Sequence, residues 1–285
     1  MGMSEFTATS RNALGHEWAG LPPGPVVMGI LNVTPDSFSD GGDAMDAAQA
    51  TEAGQRMIAE GAGILDIGGE STRPGAVPVP PEEEQRRILP VIAALAGHGV
   101  PLSVDTRNAG TIAAALDAGA AIVNDVSALS HDPAAAALAA RRGCPVVLMH
   151  MRGTPATMMA HATYGDVATE VLAELAARIG AAEAAGIVRS RIAVDPGIGF
   201  AKTAEHNIVI LQRLPILLGL GCRIVVGASR KRFIGELSGA GDAKQRMAGS
   251  IAAGLYALSR GATILRVHDV AETVQAVRTW QRLAG

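Results

Sequence analysis

Eight times along the chain a short apolar run ends in polar or glycine residues, and an Ala-rich segment with helical spacing usually follows. The runs are VVMGILN (26–32), GILDIGGE (63–70), PLSVDT (101–106), AAIVNDVS (120–127), PVVLMH (145–150), RIAVDPG (191–197), CRIVVGAS (222–229) and TILRVH (263–268). A strand that is apolar along its whole length is covered on both faces, which is the condition of a parallel sheet flanked by helices. The segments between the runs include MDAAQATEAGQRMIAEGA, NAGTIAAALDAG, GDVATEVLAELAARIGAAEAAG and MAGSIAAGLYALSRG. Several of them stop at a Gly close to the last periodic residue, a normal helix end.

Eight such units in about 260 residues match the usual size of a (β/α)8 barrel. The rival α/β arrangement, a doubly wound open sheet, uses fewer strands and binds its ligand at one switch point. Here polar residues stand at the C-terminal end of nearly every run: Asn32, Glu70, Asp105, Asn124 with Asp125, His150, Asp195, Ser229, and Arg266 with His268. Only a closed barrel brings all those ends to one mouth. The expected fold is therefore α/β, a single-domain (β/α)8 TIM barrel over 25–285 behind a polar, weakly ordered tail over 1–24.

Composition narrows the function. The net charge is -3, so no basic field exists for nucleic acid or an anionic membrane surface. The chain is 48% hydrophobic and 18% charged, which excludes a disordered chain. Its apolar runs stay under about ten residues, too short to span a bilayer. The opening MGMSEFTATSRN has no apolar stretch, so a secretory leader is not expected and a cytoplasmic location is. Cys144 and Cys222 both precede apolar runs without metal-ligand spacing and read as buried thiols. Lysine occurs only at 202, 231 and 244. Aromatics are 3%, so the core must be aliphatic.

Three connections are long: TPDSFSDGGDAM after Asn32, STRPGAVPVPPEEE after Glu70, and MRGTPATMMAHATYGD after His150. Long loops at a barrel mouth are typical of lids. The mouth itself offers Arg73, Lys231 and Arg266 as cations, Asp105 and Asp195 as carboxylates, Asn32 and Asn124 as amides, and His268. Arg73, Arg266 and His268 can clamp a phosphate or diphosphate. Asp105 and Asp195 with Asn124 can read the N–H edge of an amino-substituted heterocycle. The blander readings stand beside these. Asp105 is also placed to cap the helix beginning near Asn108, Asp66 reads as a buried structural acid, and Asp125 reads as a partner for a neighbouring strand end. His16, His98, His131, His161 and His206 read as solvated. DPGIGFAK has Lys202 where a dinucleotide fingerprint would need a third glycine.

The segments LNVTPDSFSDGG (31–42), DIGGESTRPGA (66–76), SVDT (103–106), NDVS (124–127), DPGIGFAK (195–202), VGASRKRFIGEL (226–237) and RVHDV (266–270), in this order, resemble the dihydropteroate synthases of the pterin-binding enzyme family. The likeness runs from about residue 26 to 280. It implies condensation of a dihydropterin-CH2-diphosphate with 4-aminobenzoate, assisted by Mg2+, in a homodimer. It implies Asn32 as the metal contact; Asp40, Arg73, Asp105 and Lys231 as the catalytic group; Asp105, Asn124, Asp195 and Lys231 around the pterin; and Met149 and Phe200 as apolar walls. It further implies Thr72, Pro74, Phe38 and Ser229 at the aminobenzoate, and Arg73, Arg266 and His268 at the diphosphate. Two other readings remain open: a silent or repurposed paralogue, and a pterin-binding methyl-transfer domain on the same barrel.

Overall fold

In the computed structural model, residues 18–284 are described except 22–23, 35–42, 72–75 and 77. Each apolar run forms a strand: β1 (Val26–Asn32), β2 (Ile64–Gly68), β3 (Leu102–Asp105), β4 (Ile122–Asp125), β5 (Val146–Met149), β6 (Ile192–Asp195), β7 (Arg223–Val226) and β8 (Ile264–Val267). They pair in sequence order, all parallel, and β8 closes on β1 through Val26↔Ile264 and Met28↔Arg266. The intervening helices are α1 (Asp43–Ala59), α2 (Pro81–Leu95), α3 (Ala109–Asp117), α4 (Ala135–Arg142), α5 (Val167–Ala184), α6 (Ala204–Gln212), α7 (Arg232–Ser238), α8 (Met247–Ser259) and α9 (Val270–Ala284). This is the expected (β/α)8 barrel.

Alternation along the strands explains how one short run serves both core and site. Met28, Ile64, Ile122, Val147, Ala193, Val225 and Ile264 form one buried cluster inside the barrel. Side chains two positions further along a strand share the same face, one step nearer the mouth. Those positions are Ile30, Asp66, Asn124, Met149, Asp195, Gly227 and Arg266, with Asp105 following Ser103 in β3. The opposite faces, such as Leu65, Val104, Leu148 and Val194, pack outward against the helices in the larger core. A strand of four residues thus carries an apolar floor, a ligand-facing group above it and an outer packing face.

The lower end of the barrel departs from the sequence expectation. Trp18 and Leu21, inside the segment read as a polar tail, are buried in the interior cluster. The Trp18 indole N–H donates to the Arg191 carbonyl at 3.0 Å. A bulky apolar ring with a satisfied polar edge is well suited to closing the narrow end of a barrel otherwise filled by small aliphatics. The isolated Trp had no periodic neighbours in sequence to reveal this.

Helix starts follow local chemistry. Asp166 caps α5 by accepting from Ala168 N and Thr169 N. Thr203 opens α6 in a reciprocal capping box with His206. Cys144 and Cys222 are free and buried, and burial pushes both thiols up. Among the described residues no helix is long and apolar enough to cross a membrane.

Candidate active site

The strand ends assemble a polar floor around one arginine. Arg266 Nε donates to Asp66 Oδ2 at 2.6 Å, and Nη2 donates to Asp105 Oδ2 at 2.6 Å. Asn124 Nδ2 donates to the same Asp66 oxygen at 3.0 Å. The planar guanidinium can span two carboxylates from strands β2 and β3 because its donors lie in a fixed fork. Asp66 is fully buried, consistent with its reading as a structural acid; its structural task is to aim Arg266 and Asn124.

Asp105 is not a helix cap. The side chain of Asn108, at the N-cap of α3, makes no cap hydrogen bond. The Ala109 N–H is instead taken by Asp132 Oδ2 at 2.9 Å, which leaves Asp105 to face the mouth. The loop after β3 is held by Glu84 of α2, which accepts from Thr106 Oγ1 at 2.9 Å and Asn108 Nδ2 at 3.0 Å. Asp125 likewise pairs with no neighbouring strand end. It accepts from Ser127 N and Oγ, both at 2.6 Å, and from Leu129 N at 3.2 Å, building the turn after β4.

Burial pushes the Asp105 carboxyl from its ordinary value near 3.8 to about 7, with Asp66, Glu84 and Asp125 adding to the rise and Arg266 opposing it. The ligand-free folded protein therefore holds a proton that the unfolded chain has released between about pH 4 and 7. The resulting stability is fully present below the unfolded value and is lost as pH rises through about 7. Asp105→Asn removes that titration. Denaturant unfolding from about pH 5 to 8 is expected to show wild type losing stability relative to the variant as pH rises; parallel curves would contradict the assignment.

The opposite side of the mouth is built on β6 and the loop after it. Asp195 Oδ1 accepts from Gly197 N at 2.6 Å. Burial raises the Asp195 carboxyl, and Lys231 works against that rise. Lys231 Nζ donates to the Ile198 carbonyl and lies 4.5 Å from the centre of the Phe200 ring. Burial lowers this ammonium to about 8, with Asp195 pulling it back up. Ser229 and His268, read with separate ligands, are brought together. Their Oγ and Nδ1 are 3.0 Å apart, and His268 N donates to Ser229 Oγ at 3.1 Å. Arg230, left-handed at φ +58, spans to Asp269 through Nε at 3.1 Å and a second contact from Nη2, which ties the β7 loop to the β8 loop.

Asn32 ends β1 half-buried, and Met149 ends β5 buried. Phe38, Asp40, Thr72, Arg73 and Pro74 lie outside the described residues. Of the histidines read as solvated, His98, His131 and His161 are exposed, His16 lies outside the described residues, and His206 is half-buried against Tyr164 with ring centres 5.1 Å apart. The third long loop is well structured. Arg152 reaches Glu170 at 2.8 Å and also Glu174 of α5, and its guanidinium sits 4.0 Å over the Tyr164 ring. Sequence reasoning did not foresee the buried pair His150 and Lys202, whose Nδ1 and Nζ are 2.9 Å apart. The one signal was the scarcity of lysine.

A closed barrel whose mouth sets an arginine between two carboxylates, with an amide, an acid and a half-buried lysine around it, defines a ligand-binding (β/α)8 enzyme. The pterin binding enzyme family model matches residues 28–268. The dihydropteroate synthase of Neisseria meningitidis serogroup C is 48% identical over 262 residues, covering 91% of this chain and 93% of that protein. The Xanthomonas albilineans dihydropteroate synthase structure with 4-aminobenzoic acid matches with a TM-score of 0.86 at 52% identity, over 91% of this chain and 93% of that one. The structure of that enzyme in complex with 7,8-dihydropteroate matches with a TM-score of 0.85 at 48% identity, over 94% and 98%. The chain belongs to the pterin-binding enzyme family, and within it to the dihydropteroate synthases.

Proposed function

We propose that this enzyme joins (7,8-dihydropterin-6-yl)methyl diphosphate to 4-aminobenzoate, forming 7,8-dihydropteroate and diphosphate in folate biosynthesis. The observation that carries the reading is the cross-barrel set Arg266, Asp66, Asp105 and Asn124 facing Asp195 and Lys231, in a chain whose solved relatives were captured with 4-aminobenzoic acid and with 7,8-dihydropteroate.

The pterin edge suits the acidic side. Asn124 commits its Nδ2 to Asp66, which leaves Oδ1 as an acceptor for a ring N–H. Asp195, raised by burial, is a strong acceptor for an amidine-like edge and is balanced by Lys231. Met149 and Phe200 supply apolar walls for the ring. Arg266, His268 and the loop residue Arg73 hold the diphosphate, and Thr72, Pro74, Phe38 and Ser229 surround the aminobenzoate.

The bond from the pterin methylene to diphosphate breaks with its electron pair leaving on oxygen. The arylamine lone pair forms the new C–N bond, and the amine gives up one proton to solvent. The arylamine is a weak nucleophile, so departure runs ahead of attack and a pterin-stabilised cation forms, with Asp105 nearby to stabilise it. Loop 33–42, which carries Asp40, and loop 71–84 would close over that cation and exclude water. No side-chain nucleophile is required.

Mg2+ fits this scheme as an ion shared with the substrate. Among the described residues no three His, Cys, Asp or Glu side chains group as metal ligands. Mg2+ commonly takes few protein oxygens and completes its shell with phosphate and water. Asn32, an amide oxygen at the end of β1, would hold it, and when bound it would neutralise charge on the leaving diphosphate. A homodimer through the later helices, where Leu237, Tyr256 and Leu283 stand exposed, belongs to the same proposal. The test of the reaction is formation of dihydropteroate from the two substrates by the purified protein.

A further inference from the structure

Lys202 is almost completely buried, at 3% exposure, and the proposed chemistry gives it no task. Methionine would fill similar space without bringing an ammonium out of water, a transfer that is costly unless the charge is well partnered. Its partners come from two sides. Nζ donates to the Phe200 carbonyl at 2.9 Å and lies 2.9 Å from His150 Nδ1. His150 Nε2 is 3.0 Å from Glu174 Oε2, and Glu174 is held in turn by Arg152. Burial drives His150 down to about 4, so the ring is neutral at ordinary pH. Its Nδ1 then accepts from Lys202 and its Nε2–H donates to Glu174, the tautomer that satisfies every partner.

This chain ends under the loop after β6. Gly197, at φ +69, packs directly on the His150 carbonyl, and Phe200 N donates to Gly197 O at 3.0 Å. Gly199 N is held by Asn207 Oδ1 at 2.7 Å. Ala201, a non-glycine residue at φ +50, sits just before Lys202 in a conformation that costs energy unless neighbouring contacts hold it. The top of the same loop presents three groups of the proposed pterin pocket: Asp195, the Ile198 carbonyl that receives Lys231, and the Phe200 ring beside the Lys231 ammonium.

We propose that Lys202 is a positioning residue for the pterin side of the site, acting through the Phe200 carbonyl and His150 to hold the loop 195–200 in the shape that places Asp195, Lys231 and Phe200. The inference rests on the proposed function. The charged and titratable groups facing Lys202 are Asp195 from β6, Glu174 from α5, Arg152 and His150 around β5, and Lys231 after β7. Burial lowers the Lys202 ammonium to about 7; Asp195 and Glu174 raise it, while Lys231 and Arg152 oppose them.

Lys202→Met keeps the apolar stem and removes the ammonium. Steady-state kinetics are expected to show KM for the dihydropterin diphosphate rising about 10- to 100-fold, the range set by a misplacement near 1 Å. KM for 4-aminobenzoate, measured at saturating pterin, is expected to change by less than about 3-fold. His150→Gln cuts the same chain from its other end and serves where Lys202→Met fails to fold. It is expected to move the pterin KM in the same selective way, and the double variant to lose less than the product of the two single effects. Unchanged pterin KM in a folded variant, or equal loss for both substrates in step with a lower Tm, overturns the inference. Wild-type protein that binds no dihydropterin diphosphate by calorimetry overturns the functional reading instead.

Discussion

Arg266→Met is expected to lower stability by about 2–5 kcal/mol and turnover by at least about 100-fold. Arg266 is the only cation bonded to both Asp66 and Asp105 among the described residues, at 2.6 Å to each. Removing it leaves two buried carboxyls facing each other across β2 and β3. Asp105, already raised by burial, then takes up a proton more readily, which relieves the repulsion and at the same time removes the negative charge proposed to face the pterin cation. Arg266→Lys separates the two consequences. A single ammonium keeps the charge but cannot reach both carboxylates in a fork. It is expected to recover part of the stability while remaining slow. Denaturant unfolding and initial-rate measurements on both variants check this, and near-wild-type behaviour of Arg266→Met in either assay would contradict it.

Gly197→Ala is expected to be comparably damaging, at about 3–5 kcal/mol, from one methyl group. Gly197 sits at φ +69, where an L side chain is strained, and its Cβ would lie 1.9 Å from the His150 carbonyl oxygen. Both are backbone constraints, so no rotamer change relieves them. The loop must lift from β5, which breaks the Gly197 N–H bond to Asp195 Oδ1 and withdraws the Ile198 carbonyl from Lys231. Thermal unfolding should show a large drop in Tm, and any folded fraction should bind the pterin substrate poorly. A protein of unchanged Tm and affinity would mean that the close packing of loop on strand is not what shapes the pocket. Gly143, also left-handed but with open space around it, is the natural control at which only the conformational strain applies.

The barrel and most of its mouth were legible because both follow from period-two strands. Once VVMGILN or RIAVDPG is read as buried on both faces, the polar residue that ends the run has nowhere to point except the mouth. Asp105, Asn124, Asp195 and Arg266 were found that way. Their pairings were not legible. Arg266 and Asp66 are 200 residues apart, and the choice of Asp66 and Asp105 as its partners depends on the stagger of a closed barrel. The pairing of His150 with Lys202 escaped notice for the same reason, since two residues from different units meet only when β5 and β6 are neighbours. Asp105 and Asp125 show the limit of local reasoning. Both end strands before a turn, and only the three-dimensional supply of donors decides that Asp125 builds its turn while Asp105 does not. Trp18 was hidden by its polar surroundings, because a lone aromatic gives no period to read.

The central claim is that this mouth exchanges diphosphate for an arylamine on a pterin methylene. Its most direct test incubates purified protein with Mg2+ and (7,8-dihydropterin-6-yl)methyl diphosphate, with and without 4-aminobenzoate, while following diphosphate release and the pterin product together. The account predicts fast release only with 4-aminobenzoate present, matched one for one by 7,8-dihydropteroate. Release at the same rate without the arylamine, or no dihydropteroate with both substrates present, would contradict it.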